Sequence, residues 1–168
     1  GSLYAYLELY GPDGTRLAGA RGAIDKALTL TGKHTIIIRD EYNSYTGDYS
    51  LVWARLNNSC ATALNCGQVA TGSISTNERF KLYSFTASAN DSVTIRATTP
   101  SIYLYAYLEL YAPDGSRLAY STNKIDKTLT LAGTYTIIVR DEYNDETGDY
   151  YLIWQRLNNP CNTTPINC

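Results

Sequence analysis

The stretch LYAYLELYGPDGTRLA at Leu3–Ala18 returns as LYAYLELYAPDGSRLA at Leu104–Ala119, and IDK, RDEYN, TGDY and RLNN follow in the same order in both places. Aligning Leu3–Asn58 with Leu104–Asn159 needs no gap and leaves most positions identical. A period of roughly 100 residues is that of a whole small domain, not of a solenoid unit of about 20 to 50 residues. The duplication is unequal: Gly67–Ser101, which precedes the shared block in the second copy, has no counterpart before Leu3. The expected organisation is a truncated repeat over 1–58, a stapled linker over 59–66, a complete repeat over 67–159 and the start of a further linker over 160–168.

Within the duplicated block the side chains alternate. Leu104, Ala106, Leu108 and Leu110 share one face of an extended chain, and Tyr103, Tyr105, Tyr107, Glu109 and Tyr111 share the other, which predicts a half-buried strand. PDG at Pro12–Gly14 and Pro113–Gly115 then supplies a preset φ, a self-bonding aspartate and a residue free to take positive φ, so a reversal follows. Arg79–Thr86, Ser92–Thr98, Lys127–Leu131, Thr134–Arg140 and Asp149–Leu157 are likewise short, rich in Thr, Tyr, Ile and Val, and bounded by turn residues. No segment has a helical apolar period. About eight such strands per repeat predict an all-β fold, an antiparallel β-sandwich. Its expected core is Tyr83, Phe85, Val93, Ile95, Leu108, Leu110, Tyr135, Ile137, Val139, Tyr150, Leu152 and Trp154.

With a net charge of −2, the chain has no electrostatic reason to bind nucleic acid or an anionic membrane, and no apolar run approaches the roughly 18 residues of a spanning helix. Sixteen tyrosines against two phenylalanines and no methionine argue for many rings near water. The cysteines form two short pairs, Cys60 with Cys66 and Cys161 with Cys168. Of the three possible connectivities the spacing favours these local disulfides, in an oxidising compartment; a zinc site would ask for tighter knuckles or nearby histidines.

Gly72-Ser73-Ile74, LYSFTASANDSVTI at Leu82–Ile95, LELYAPDG at Leu108–Gly115, GTYTIIV at Gly133–Val139 and GDYYL at Gly148–Leu152 resemble the bacterial pre-peptidase C-terminal domain. The resemblance covers nearly all of Gly67–Asn158 and, in the first copy, the latter half again. It implies a non-catalytic, jelly-roll-like sandwich attached to secreted proteases and other surface proteins. It also implies kinship with collagenase collagen-binding modules, which use strand tyrosines and bind calcium.

Three candidate sites follow from the residues. Alternate rings on one strand stand about 7 Å apart, so Tyr103, Tyr105, Tyr107 and Tyr111, with Tyr4, Tyr6 and Tyr10 in the first copy, offer a surface for sugar faces or for protein. The rival readings of that row are contact between repeats and cross-strand stiffening of the sheet. The loop holding Asp141, Glu142, Asn144, Asp145, Glu146 and Asp149 concentrates oxygen donors that suit calcium, the one cofactor with a candidate site. The four cysteines are the third. No catalytic residue is expected: His34 aligns with Tyr135, and no nucleophile elbow, metalloprotease helix or phosphate loop is present.

If each repeat folds as Gly67–Asn158 does, the first copy exposes a groove lined by Leu7, Leu9, Ile36, Ile38 and Trp53. Neighbouring copies are then the expected partners, by strand exchange or repeat stacking. The function expected is a structural, adhesive or fibre-forming repeat, secreted or at the cell surface. The alternative is a targeting module that binds polysaccharide or fibrous protein for a secreted hydrolase.

Overall fold

The computed structural model describes residues 2–57 and 61–161 of the chain, which divides into two compact units, Gly1–Leu51 and Val52–Cys168. Among the described residues all regular structure is β.

The first unit is a three-stranded antiparallel sheet in the order β2-β1-β3, with β1 Ala5–Tyr10, β2 Arg16–Arg21 and β3 Thr35–Asp40. β1 is central, pairing Leu7 with Ala20 on one side and with Ile38 on the other.

The second unit is the expected sandwich. One layer runs β10-β7-β12-β5 and the other β4-β6-β11-β8-β9. The strands are β4 Thr62–Ala63, β5 Val69–Ile74, β6 Phe80–Ala87, β7 Ser92–Thr98, β8 Ala106–Tyr111, β9 Arg117–Thr122, β10 Lys124–Thr128, β11 Gly133–Asp141 and β12 Gly148–Arg156. Every pairing is antiparallel except β4 with β6. All twelve residues expected in the core are buried. Phe85 lies 4.3 Å from Trp154 and 5.5 Å from Tyr135, so large rings fill the space between the layers. The Tyr83 and Tyr150 hydroxyls meet at 2.8 Å, which satisfies two polar groups that burial would otherwise orphan; burial and this bond push the Tyr150 phenol up. The PDG turn forms as its residues predict, with Gly115 at φ 85° and the Ser116 amide donating to the Asp114 carboxylate.

One expectation, the local pairing of the cysteines, is corrected, and two further features stand beside it. First, the segment after Cys60 also contributes structure to the sandwich. Thr62–Ala63 adds an edge strand to β6, Leu64 enters the core, and its carbonyl accepts from the Trp154 indole. Second, the cysteines do not pair locally: Cys66 is bonded to Cys161 across a separation of 95 residues, with the Cα atoms 5.8 Å apart. Proximity in sequence favoured local bridges, but the sandwich returns its exit to its entry, and that tertiary closeness decides the pairing. Cys60 and Cys168 lie outside the described residues. Third, two duplicated segments differ in structure. Gly47–Arg55, the counterpart of β12, and Ala23–Ala27, the counterpart of β10, form no strand. β12 pairs with β5 and β7, and β10 with β7, whereas Gly47–Arg55 and Ala23–Ala27 have no strand partner among the described residues.

Candidate functional site

The outer face of β8, β9 and β11 is set by alternation. Ala106, Leu108 and Leu110 point inward and are sealed, so Tyr107, Glu109 and Tyr111 point away from the core. Cross-strand register places Arg140 opposite Tyr107, Tyr120 opposite Glu109, and both Thr136 and Arg117 opposite Tyr111.

These neighbours organise around one carboxylate. Glu109 accepts from the Tyr111 hydroxyl at 2.8 Å, from Arg140 Nε at 3.0 Å and from Arg117 Nη1 at 3.2 Å. Burial opposes its charge, but these three donors outweigh it and hold the Glu109 carboxyl below its ordinary range. Arg140 donates in addition to the carbonyls of Asp141 and Glu142 and lies 4.2 Å over the Tyr107 ring. Tyr107 stacks on Tyr120 at 6.0 Å, and Arg117 covers Tyr120 at 5.0 Å. Burial pushes the Tyr107 phenol up. The result is a rigid plane of alternating guanidinium and phenol groups.

The first copy carries the same cluster. Glu8 accepts from Tyr10 at 2.9 Å and pairs with Arg39 and Arg16, and Arg39 lies 4.7 Å over Tyr6. It differs at one position. Gly19 stands where the second copy has Tyr120, and without that ring Arg16 donates to the Tyr6 hydroxyl instead.

The expected tyrosine row is therefore partly in place. Tyr103 and Tyr105 are well exposed, Tyr107 is half-exposed in its stack, and Tyr105 meets Tyr143 edge-on at 6.5 Å. Tyr4 is exposed and meets Tyr42 and Tyr45 edge-on, while Tyr6 and Tyr10 are half-buried. Tyr111 leaves the surface: it is 2% exposed. It points outward from the sheet, and its hydroxyl turns back to Glu109. The Leu56 carbonyl accepts from Thr136, which sits opposite Tyr111, and Asn57 lies beside Gly115. Sequence reasoning missed Glu8, Glu109, Arg16, Arg39, Arg117 and Arg140. The signal was present, since both glutamates fall between tyrosines on the outward face in both copies.

The acidic loop is organised by one member. The Asp141 carboxylate is fully buried and accepts from the backbone amides of Tyr105, Tyr143, Asp145 and Glu146. Burial opposes its charge, and these amides still hold its pKa down. Asp40 does the same with the amides of Tyr4, Tyr42, Ser44 and Tyr45. Both are keystones of a turn whose asparagine, Asn43 or Asn144, takes positive φ. Glu142 is half-buried, Asn144, Asp145, Glu146 and Asp149 are exposed, and no three acidic, histidine or cysteine side chains are grouped to hold a metal ion among the described residues. His34 Nδ1 lies 3.2 Å from the Gly32 carbonyl; its counterpart Tyr135 is buried and donates to the Leu131 carbonyl.

The second unit is thus a β-sandwich module with an aromatic, guanidinium-laced outer face. The chain is similar to the pre-peptidase C-terminal domain of a collagenase from Bacillus anthracis, at 19% identity over 56% of this chain and 94% of that one, with a TM-score of 0.47. It is similar also to PliG, a periplasmic inhibitor of g-type lysozyme. The Aeromonas hydrophila protein shares 15% identity over 57% of this chain and 95% of that one, with a TM-score of 0.46. The Salmonella Typhimurium protein shares 16% identity over 57% and 97%, with a TM-score of 0.41. No protein-family model and no curated protein matches the chain. The fold assignment rests on the strand register described above.

Proposed function

We propose that this chain is a load-bearing, non-catalytic repeat of a secreted or cell-surface modular protein, serving structure, adhesion or fibre assembly through strand-mediated contacts. The observation that carries the reading is the Cys66–Cys161 bond. It joins the residues just before β5 and just after β12, so a pull along the chain enters at one sulfur and leaves at the other. All of β5–β12 is bypassed, and the sandwich keeps its outer face intact under tension. A bond of this kind also belongs to an oxidising compartment, which supports the localisation.

Stretching the full chain from its two ends tests this. With a separation of 95 residues between the bonded cysteines and ~3.3–3.6 Å per extended residue, reduction should add roughly 300 Å to the length released on unfolding. An equal length in oxidised and reduced chains sinks the reading.

A second reading is favoured by the exposed rings of Tyr103, Tyr105 and Tyr120, amphipathic groups that suit contact with sugars or with fibrous protein. A targeting module should be retained on insoluble polysaccharide or collagen, and Tyr105→Ala with Tyr120→Ala should abolish retention. Retention unchanged by those substitutions removes the aromatic face from the account. Calcium, should the acidic loop take it, would raise the melting temperature relative to chelator.

A further inference from the structure

Among the described residues the second unit brings tyrosine rings together in three pairs, and one of them is open to chemistry. Tyr83 and Tyr150 are sealed in the core with their hydroxyls bonded to each other. Tyr107 and Tyr120 lie under guanidinium groups, Arg140 at 4.2 Å and Arg117 at 5.0 Å, and a cation over a phenol ring opposes withdrawal of an electron from it. Tyr105 and Tyr143 have neither protection. They are 50% and 70% exposed, with ring centroids 6.5 Å apart and planes at 80°.

One buried group positions both residues. The Asp141 carboxylate accepts from the Tyr105 amide on Oδ1 at 3.1 Å and from the Tyr143 amide on Oδ2 at 3.1 Å, so a single side chain fixes both backbones. The first copy repeats the device: Asp40 accepts from the amides of Tyr4 and Tyr42, whose rings lie 5.6 Å apart. There Arg21 donates to the Tyr42 hydroxyl at 2.7 Å and lies 5.7 Å over its ring, whereas Thr122 stands at the matching position of the second copy and brings no guanidinium to Tyr143. Fixed backbones with solvated rings favour a reaction within the pair over one between chains, because exposed side chains turn rapidly while the partner ring never diffuses away.

We propose that Tyr105 and Tyr143 form an oxidative cross-linking site, where a haem peroxidase using hydrogen peroxide joins the two rings through their ortho carbons. Each phenol gives one electron to the oxidant and releases its hydroxyl proton. The two phenoxyl radicals combine, forming one carbon–carbon bond between Cε atoms. The hydrogen on each of those carbons then leaves as a proton while the oxygen of that ring takes one up, which restores both aromatic rings and both hydroxyls. The net loss is two electrons and two protons, and one peroxide takes them to give two waters. The product ties the residue entering β8 to the turn leaving β11, a staple that reduction of the Cys66–Cys161 bond does not open.

This site goes beyond the function proposed above and does not rest on it. The test treats the full chain with a haem peroxidase and hydrogen peroxide, then reads dityrosine fluorescence, chain mass and the linked peptides after proteolysis. The expected product is a monomer lacking two hydrogens whose linked peptides carry Tyr105 and Tyr143, in a yield unchanged by about tenfold dilution because the coupling is unimolecular. Tyr143→Phe should lower the fluorescence of the monomer at least about tenfold, and Tyr151→Phe, which removes an exposed ring outside the pair, should leave it as it was. Dityrosine confined to chain dimers, a dominant link between any other two tyrosines, or no dityrosine once the peroxide is spent each overturns the proposal.

Discussion

Glu109 shows how one side chain can organise a surface. A carboxylate on the outer face of a sheet would ordinarily sit in water, yet here two guanidinium groups and a phenol converge on it, and burial makes each of those bonds count. Glu109→Gln leaves Arg117 and Arg140 without their counter-charge in a half-desolvated cluster, and should cost about 2 to 3 kcal/mol in urea denaturation. The same group dictates a pH dependence. Its folded pKa, like that of Asp141, is depressed, so its stabilising contribution is complete above the unfolded value and is lost as pH falls through the folded one. Acid titration followed by circular dichroism should show the wild type losing stability below the ordinary carboxylate range. Glu109→Gln should lose less over the same window. Glu8 holds the same partners in the first copy but in a more open setting, and its carboxyl is held down by the Tyr10 bond first.

At the scale of elements, one sequence meets two fates. GDYYLIWQR at Gly148–Arg156 is a strand between β5 and β7, and Trp154 is 2% exposed. GDYSLVWAR at Gly47–Arg55 keeps the alternation, forms no strand, and leaves Trp53 69% exposed. Propensity and pattern are equal in the two, so the difference lies in the partner. A strand flanked on both sides exchanges its amides only by opening the sheet, whereas an unpaired segment exchanges almost freely. Amides of Gly148–Arg156 should therefore exchange at least about a thousandfold more slowly than those of Gly47–Arg55, a gap of about 4 kcal/mol. Equal rates would mean that the second copy is far looser than its sealed core implies. β1, β2 and β3 form in the first unit because they pair among themselves through a short turn and one return, contacts wholly contained in the sequence of that copy.

At the scale of the whole molecule, the Cys66–Cys161 bond closes a loop with a sequence separation of 95 residues around a single sandwich. Closing a loop of this length removes conformational freedom from the unfolded chain, so Cys66→Ser should cost roughly 4 to 5 kcal/mol by the chain-entropy account. The same substitution should release the extra length under tension that reduction does. The strands around Phe80–Ala87, Ser92–Thr98, Ala106–Tyr111, Gly133–Asp141 and Gly148–Arg156, the turns at PDG and the inward set of the core were legible from residues alone, because period-two alternation and turn chemistry are local properties; the strand expected over Lys127–Leu131 lies instead at Lys124–Thr128, where its partner β7 sets it. Outward placement of Tyr105 and Tyr107 was legible for the same reason. Three features were not: the pairing of the cysteines, the burial of Tyr111, and the failure of Gly47–Arg55 to become a strand. Each depends on which distant segment arrives beside it, and alternation states only which way a side chain points, not what will be waiting there.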